Sequence, residues 1–407
     1  MADTLKIGLL GRGTVGGSLE ELIADRGPEI EAACGRPFEV VGVLTTSEGD
    51  FDEILGASDV IVELIGGVDD ARRFVVAALE AGKPVVTANK QLVAQFGDEL
   101  FRAAAAAGTE IRFEAAVAAV VPIIRTIQES FGAVPFTRVF GIVNGTTNFI
   151  LTEMASSGAS YEDALSRAQE LGYAEADPTE DVNGADAAAK MAILARLAFH
   201  APVTLDQVSF EGIESVQPDD LAYARELGLS LKLLGVAERL EGGITVRVFP
   251  CFLYPGHPLA PVEGPFNAVT VEAPEITEVT VSGPGAGGPQ TAAAVLGDLI
   301  SIADGIGSVP SVETDIPVLD DVESSFYLHL EVEDRPGVLA EVAKMLASSG
   351  VSVRSVVQKG MGEDARLVMV VHRCPEEDFL SAVEEIAGLD YMRSAPRFIR
   401  VIEEEFV

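Results

Sequence analysis

The first sixteen residues constrain the fold of this chain more than any other segment. An apolar run at Leu5–Leu10 ends in the turn Gly11-Arg-Gly-Thr-Val-Gly16, and apolar residues at helical spacing follow at Leu19, Leu22 and Ile23. A strand, a glycine turn and a helix in this order are typical of a dinucleotide-binding unit, because the glycines let a pyrophosphate approach the helix N-terminus. The predicted cofactor contacts are Gly11, Arg12, Gly13, Thr14, Val15 and Gly16. A loop that is merely tight is the alternative interpretation.

Strand and helix patterns continue to alternate after this turn. A helix is predicted at Ala71–Ala81. Further strands are predicted at Phe38–Leu44, Val60–Ile65, Pro84–Thr87 and Glu110–Phe113. Alternation of this kind favours an α/β fold with a Rossmann-type, doubly wound parallel sheet, which we assign to residues 1–127.

The remainder of the chain divides into three parts by pattern. Residues 128–282 mix helical and strand-like stretches and predict an α+β domain. Residues 283–320 begin with a glycine-rich turn and a helix at Thr291–Ile300 that returns to the first domain, and they end in a linker that carries Pro310 and Pro317. Residues 325–407 show the order βαββαβ, which predicts a compact third domain.

Composition excludes several classes of partner. The chain of 407 residues has 64 acidic and 28 basic side chains and a formal net charge of −36. No nucleic-acid partner is expected, because a phosphate backbone requires a basic surface. No membrane association is expected either, since the longest apolar run is about half a bilayer span. The three scattered cysteines favour neither a disulfide framework nor a zinc site, and they are typical of a reducing cytoplasm.

The residues after the second predicted strand bear on the choice of nucleotide. Many NAD-binding units place a carboxylate there to hold the ribose hydroxyls, but this chain has Leu44-Thr45-Thr46-Ser47. Hydroxyl groups without a carboxylate tolerate a 2′-phosphate, and Arg12 is the nearby cation. The sequence therefore favours NADP over NAD, and use of both nucleotides remains open.

The segment Gly172–Lys190 concentrates acids before a helix that ends in apolar residues. Asp186 and Lys190 are separated by four positions and share one helix face. An ordinary surface salt bridge is the simpler interpretation. Because Met191 and the residues after it are strongly apolar, the helix is expected to be buried, and a buried lysine among carboxylates is either paired or functional.

Two further segments are candidate sites. Lys90 follows the strand Pro84–Thr87 at the carboxyl edge of the predicted parallel sheet, where such sheets bind ligands. It is equally compatible with a solvated loop lysine. Asp334-Arg-Pro-Gly-Val-Leu339 precedes a helix whose N-terminal N–H groups suit an amino-acid carboxylate, although a plain turn with a proline is the alternative.

Taken together, these segments resemble homoserine dehydrogenases that carry a C-terminal ACT domain. The resemblance covers almost the whole chain, and the stretches Asn144–Leu151 and Gly172–Lys190 carry most of it. Further matching stretches are Gly8–Gly16, Val62–Gly67, Thr87–Lys90 and Ser282–Gly288. The resemblance implies a monofunctional enzyme that interconverts L-homoserine and L-aspartate 4-semialdehyde with NAD(P), on the route to threonine, methionine and isoleucine.

The resemblance also implies roles for individual residues. Lys190 is expected to exchange a proton with the substrate oxygen, and Asp181 to organise it. Glu175 and Asp186 are expected to hold the ammonium group of homoserine. Lys90 is expected near nicotinamide and substrate, and Gly172 and Gly285 near the cofactor. We expect burial and the proximity of the two lysines to lower their pKa values.

A structural monovalent cation, Na⁺ or K⁺, is a further implication of the resemblance. Its ligands by position are Glu114, Val117, Ala119 and Val121. The sequence departs from the family at Ala118-Ala119-Val120, where glycines are common, and alanine and valine restrict conformations with positive φ. The shape of this loop is therefore in question.

The last implications concern regulation and assembly. The C-terminal domain is expected to pair with another copy and to bind an amino acid, with L-threonine as the expected inhibitor, near Asp334, Gly337, Val338 and Leu339. The whole chain is expected to form a homo-oligomer, a dimer or tetramer. Two other functions remain open: a catalytically silent NADP-binding amino-acid sensor, and a related amino-acid dehydrogenase.

Overall fold

The computed structural model describes residues 3–307, 314–320, 322–360 and 365–402. Its N-terminal part is a parallel sheet in the order β2-β1-β3-β4-β5, which confirms the doubly wound fold. The strands are β1 (Leu5–Leu10), β2 (Phe38–Leu44), β3 (Val60–Glu63), β4 (Val85–Thr87) and β5 (Ile111–Arg112). The helices between them are α1 (Thr14–Asp25), α2 (Gly27–Cys34), α3 (Phe51–Ala57), α4 (Asp69–Glu80) and α5 (Lys90–Ala107).

A second, mostly antiparallel sheet in the order β11-β10-β6-β8-β9 packs against helices that carry the candidate site. Its strands are β6 (Arg138–Ile142), β7 (Ser209–Phe210), β8 (Ser230–Leu240), β9 (Gly243–Leu253), β10 (Phe266–Ala273) and β11 (Thr277–Pro284), with β7 beside β9. The helices are α6 (Ile123–Arg125), α7 (Gly145–Ser157), α8 (Tyr161–Glu170), α9 (Thr179–Val182), α10 (Ala185–Phe199) and α11 (Pro218–Glu226). Almost every side chain of α10 is buried, as the apolar residues after Lys190 predicted.

The chain then returns to the first sheet through α12 (Gly288–Ala303), which packs against α1. Part of the segment predicted as a linker is ordered against the second sheet, because Ile244 N–H donates to Pro317 O and Leu319 N–H donates to Ile244 O. Pro310 lies outside the described residues.

The C-terminal unit has the predicted order βαββαβ, with one additional short strand. Its elements are β12 (Glu323–Glu331), α13 (Val338–Ser348), β13 (Val353–Lys359), β14 (Arg366–Val371), β15 (Cys374–Pro375), α14 (Glu376–Ala387) and β16 (Arg397–Ile402). Glu403, which the sequence assigned to the last strand, lies outside the described residues. β16 pairs in parallel with β9, so the C-terminal sheet and the second sheet form one continuous sheet.

Within the described residues, no helix combines the length and apolar character needed to cross a membrane.

Candidate active site

The glycine turn has the geometry that a dinucleotide requires. Gly11 adopts φ +99°, and a side chain there would collide with Leu64 O. A Cβ at Gly16 would collide with Gly11 O, whereas Gly13 has open space around it. α1 begins at Thr14, so its free N–H groups face this open space, where a pyrophosphate is favoured.

The ends of β1 and β2 lie side by side at this turn, because Gly11 N–H donates to Leu44 O at 2.8 Å. Thr45, Thr46 and Ser47 therefore lie close to the turn. Arg12 forms an exposed ion pair with Glu20, at 2.6 Å between Nε and Oε2. The cation predicted to tolerate a 2′-phosphate therefore already has an anionic partner.

Lys90, Asp186 and Lys190 form one charged cluster between the two sheets. Asp186 accepts from Lys90 Nζ through Oδ1 at 2.5 Å and from Lys190 Nζ through Oδ2 at 2.7 Å. Lys190 Nζ also donates to Val143 O at 2.8 Å. The structure thus brings together two lysines that lie 100 positions apart in the sequence, and it places the carboxylate of Asp186 between them.

Asn144 is a member of this cluster that the sequence did not identify as a site residue. Its Nδ2 group donates to Asp181 at 2.6 Å and to Asp186 at 2.8 Å, so both of its amide hydrogens bind carboxylates. Its Oδ1 atom accepts from Thr147 N–H and caps α7. An asparagine between a strand and a helix is a common N-cap, and that signal was present in the sequence.

The charges of the cluster determine its pKa values. Burial acts against the charged form of Asp186, but Lys190 and Lys90 outweigh it and lower its pKa. Burial acts against the charged form of Lys90, but Asp186 outweighs it and raises its pKa. The expectation of a lowered pKa is therefore wrong for Lys90, because an anion lies between the lysines. Burial and Asp186 raise the pKa of Asp181.

These side chains line a cavity of about 950 Å³, which is within the range of small-molecule sites. Glu175 lines it and is exposed, and Gly285 cannot carry a side chain because a Cβ would collide with Asn267. The cavity therefore brings together residues predicted separately for substrate and cofactor: Lys90, Gly172, Glu175, Asp181, Asp186, Lys190 and Gly285.

A buried hydrogen-bond network fixes the position of Lys90. Glu63, at the end of β3, accepts from Thr87 Oγ1 at 2.5 Å and from Ile65 N–H at 2.9 Å. Asn89 caps α5 by accepting from Leu92 N–H and donates to Gly67 O at 2.6 Å. Lys90 is the first residue of α5, so this network fixes its backbone beside the cavity. Neither Glu63 nor Asn89 was identified from the sequence as a site residue.

The loop predicted to bind the cation adopts the positive-φ conformation that alanine and valine restrict. Ala118 and Ala119 both adopt positive φ, +56° and +47°, although alanine disfavours this region. The carboxylate of Glu114 accepts from Ile124 N–H at 2.9 Å and from Arg125 N–H at 2.8 Å.

Two carboxyl groups are buried together beside this loop. Burial and the neighbouring Asp298 raise the pKa of Glu114 to about 7, and burial raises the pKa of Asp298 to about 6. In the described ranges, no three His, Cys, Asp or Glu side chains are grouped to hold a metal ion. A site built from one carboxylate and backbone carbonyls does not require such a group.

The predicted effector loop lies at the start of α13. Gly337 adopts φ +100° and precedes the helix, Val338 is buried, and Asp334 and Leu339 are exposed. The loop lies in the C-terminal unit, and none of its residues lines the lysine cavity. The fold and the two-lysine cavity together are typical of an enzyme that binds a dinucleotide.

Comparison with known proteins identifies the family. The family model described as "Homoserine dehydrogenase" matches residues 122–300, its NAD-binding domain matches 11–114, and the ACT domain matches 327–390. The homoserine dehydrogenase of Corynebacterium glutamicum is 42% identical over 97% of this chain and 95% of its own length. The chain belongs to the homoserine dehydrogenase family, and its activity is that of an oxidoreductase of amino-acid biosynthesis.

Solved structures show the same relationship. A homoserine dehydrogenase from Thiobacillus denitrificans superposes with a TM-score of 0.93 at 38% identity, covering 98% of this chain and 99% of that one. A hyperthermophilic archaeal homoserine dehydrogenase in complex with NADPH gives 0.65 at 28% identity, covering 75% of this chain and 99% of that one. The enzyme interpretation is therefore favoured over the silent sensor and over a different amino-acid dehydrogenase.

Proposed function

We propose that the lysine cavity is the active site for L-homoserine and L-aspartate 4-semialdehyde. The observation that carries this proposal is the pair Lys90 and Lys190, bridged by Asp186 in a cavity that also includes Gly172 and Gly285. When NAD(P)⁺ is bound, it accepts the hydride that leaves C4 of homoserine. Oxidation also requires removal of the hydroxyl proton, so a base must lie within hydrogen-bond reach of that oxygen.

Lys190 is the residue proposed to exchange this proton. Its ammonium lies between Asp186 and Val143 O, so its orientation is fixed before substrate binds. In the reducing direction it donates the proton as the aldehyde oxygen gains charge; in the oxidising direction its neutral form accepts it. Lys90, on the other side of Asp186, stabilises negative charge on the same oxygen.

The carboxylates divide the remaining tasks. Glu175 is exposed on the cavity wall and supplies a contact for the substrate ammonium group. Asp186 already accepts three hydrogen bonds, from Lys90, Lys190 and Asn144, so about one acceptor position of its carboxylate remains for substrate. Asp181 acts on Lys190 through Asn144 and through its charge rather than by direct contact.

NADP is the proposed preferred nucleotide, because the residues after β2 offer hydroxyls and no carboxylate. We expect Thr46→Asp to lower the ratio of kcat/KM for NADP to that for NAD at least tenfold, since a carboxylate there repels the 2′-phosphate and binds the free ribose hydroxyls. The measurement is homoserine oxidation followed at 340 nm with both nucleotides. Ser156→Asp, an exposed position on α7, is the control for added charge, and an unchanged ratio in Thr46→Asp would contradict the assignment.

A monovalent cation at the Glu114 loop is part of the proposal. Glu114 and Asp298 are both buried, and burial together with the charge of Asp298 raises the pKa of Glu114. The backbone carbonyls of Val117, Ala119 and Val121 would supply the remaining ligands, and the cation would neutralise the carboxylate.

This proposal has a consequence for stability. Burial and Asp298 raise the pKa of Glu114 from its ordinary value of 4.5 to about 7, so the folded state holds its proton more tightly. Stability is therefore highest below the unfolded value and falls as pH rises from about 4.5 to about 7, by on the order of 3 kcal/mol. We expect Na⁺ or K⁺ to reduce this loss relative to tetramethylammonium in calorimetric scans at pH 5 and pH 8.

Glu114→Gln is expected to abolish this effect of the cation. Glu162→Gln, an exposed position, is expected to retain it. Equal melting temperatures in the three salts for the unsubstituted protein would refute the cation site.

Regulation by an amino acid at the loop Asp334–Leu339 completes the proposal, with L-threonine as the expected effector. Leu339 and Val356 are exposed apolar side chains on the same unit, at 38% and 43%. A second copy of the chain would cover such a surface, which supports association into a dimer or tetramer.

A further inference from the structure

A second cavity lies at the seam between the second sheet, at β9, and the ACT unit, at β16. One edge of β9 is paired first with β7, at Val248, and then with β16, from Cys251 onward. Between these two partners the edge is open at Pro250, which has no N–H to offer. The cavity there has a volume of about 230 Å³, enough for a molecule the size of a small amino acid.

The charges in this seam cavity are of both signs. Asp220, on α11, and Arg397, at the start of β16, face each other across the seam, with Glu211 and Arg400 nearby. The guanidinium of Arg400 already donates hydrogen bonds to Glu376 and Glu211. Glu211 remains largely exposed, at 54%.

Asp220 and Arg397 are incompletely satisfied. Asp220 is 2% exposed, and its Oδ1 atom lies 3.3 Å from His329 Nδ1 and 3.4 Å from Arg397 Nη2. Neither contact has hydrogen-bond geometry, so Oδ1 and the buried Nε of Arg397 have no hydrogen-bond partner among the described residues. A buried polar atom without a partner is costly, and a ligand that binds it removes that cost.

We propose that the seam cavity binds a small α-amino acid as its zwitterion. Its ammonium group would donate to Asp220 and Glu211, and its carboxylate would accept from Arg397. A simple anion would be repelled by the two acids, and a simple cation by the two arginines, whereas a zwitterion matches both. Since no residue of the loop Asp334–Leu339 lines this cavity, it is a site additional to the effector loop.

The position of the cavity connects it to the active site. Asp220 belongs to α11, which packs against α7 and β8. α7 is capped by Asn144, whose amide holds Asp181 and Asp186. A ligand that binds Asp220 therefore acts on α11, which packs against the helix that Asn144 caps. We expect it to change KM for homoserine more than nucleotide affinity.

The test is calorimetric titration of the full-length protein with L-threonine, L-isoleucine and L-methionine. At least one of them is expected to show binding additional to any at the effector loop, with a Kd that rises at least tenfold in Asp220→Asn. Asp219→Asn is the matched control, since this neighbouring acid pairs with Arg366 and does not line the cavity. Its Kd is expected to stay within about twofold. N-acetyl-L-threonine and L-threoninol, which lack one charge each, are expected not to bind.

A second variant keeps the proposal testable if Asp220→Asn folds poorly. Ser215 is exposed and lines the cavity, so Ser215→Phe fills it without changing the buried charges. Loss of binding in Ser215→Phe, with homoserine oxidation in the absence of effector unchanged, supports the site. Binding lost in Gly337→Ala but retained in Ser215→Phe assigns the ligand to the effector loop and overturns the proposal. Absence of binding by all three amino acids at 10 mM, on the order of the weakest useful affinity, also overturns it.

The outcome is separable from the proposed active site. A failure of the seam cavity leaves the homoserine oxidation of the unsubstituted protein intact, whereas a failure of the lysine assignment appears in that activity without any amino acid added.

Discussion

Replacing Lys190 with alanine is expected to lower kcat for homoserine oxidation by about 10²–10⁴-fold, the range typical of lost general acid–base catalysis. The side chain is anchored by Asp186 at 2.7 Å and by Val143 O at 2.8 Å, and no other described amine except Lys90 lines the cavity. Lys90 is bound to the opposite oxygen of Asp186. It is therefore not placed to replace Lys190 at the same position.

The readouts for this prediction separate chemistry from binding. NADPH affinity, measured by fluorescence titration, is expected to change less than about threefold in Lys190→Ala, because the glycine turn proposed to contact the nucleotide is unaltered. Lys6→Ala removes an exposed lysine and serves as the control. Near-normal turnover by Lys190→Ala would show that the proton is transferred elsewhere and would reject the assignment.

The lysine cluster illustrates how far the sequence leads. Asp186 and Lys190 share a helix face by spacing alone, and the apolar residues after them correctly predicted burial. The proximity of Lys90 to Lys190 was expected only from the resemblance. The pairing of Lys90 with Asp186 depends on the packing of α5 against α10, which pack against different sheets. The sign of its pKa shift depended on the carboxylate between the lysines, which a one-dimensional pattern does not reveal.

Residues that act at a distance along the chain were the hardest to predict. Glu63 is the last residue of β3 and Asn144 caps α7, and their partners, Thr87 and Asp181, come from other segments. These contacts form only when segments that are distant in the sequence pack together. β8, at Ser230–Leu240, was not predicted either, although it is the strand between β6 and β9.

The ACT unit shows a limit of another kind. Its internal order βαββαβ follows from local patterns, and the prediction was right. Its attachment to the rest of the chain does not follow from local patterns. β16 pairs with β9, and Glu376 of the ACT unit binds Arg247 of β9 at 2.6 Å. Burial opposes the charge of Glu376, but Arg400, Ser324 and Arg247 outweigh it and lower its pKa to about 2. The strands of the ACT unit thus continue the second sheet.

The second large effect is expected for Asp186→Asn, in stability as well as in activity. Removing the charge leaves the ammonium groups of Lys90 and Lys190 facing each other in a largely buried site. Breaking one partner of a buried ion pair costs about 3–5 kcal/mol. The lower end, about 3 kcal/mol, applies here because the Lys90 side chain is 32% exposed and solvent screens its charge. Chemical denaturation at pH 7 measures this loss.

The pH dependence of this difference has a defined sign. The pKa of Asp186 is lowered in the folded state. Its contribution to stability is therefore present above the pKa that it has in the unfolded chain, and this contribution is lost as pH falls through the folded pKa. The pKa of Lys90 is raised in the folded state. Its contribution to stability is therefore present below the pKa that it has in the unfolded chain, and this contribution is lost as pH rises through the folded pKa. The stability difference between the unsubstituted protein and Asp186→Asn is therefore expected to be largest between about pH 5 and pH 9.

Asp181→Asn is the matched control, because the same substitution five positions earlier meets the opposite electrostatic situation. Burial and Asp186 raise the pKa of Asp181, so its charge is unfavourable in the folded state at neutral pH. Removing that charge is expected to leave the stability of Asp181→Asn unchanged or slightly increased, whereas Asp186→Asn is expected to lose stability. If the two variants lost equal stability, general disruption of the Asn144 hydrogen bonds would explain both. Asp186 would then have no special role in holding the two lysines together.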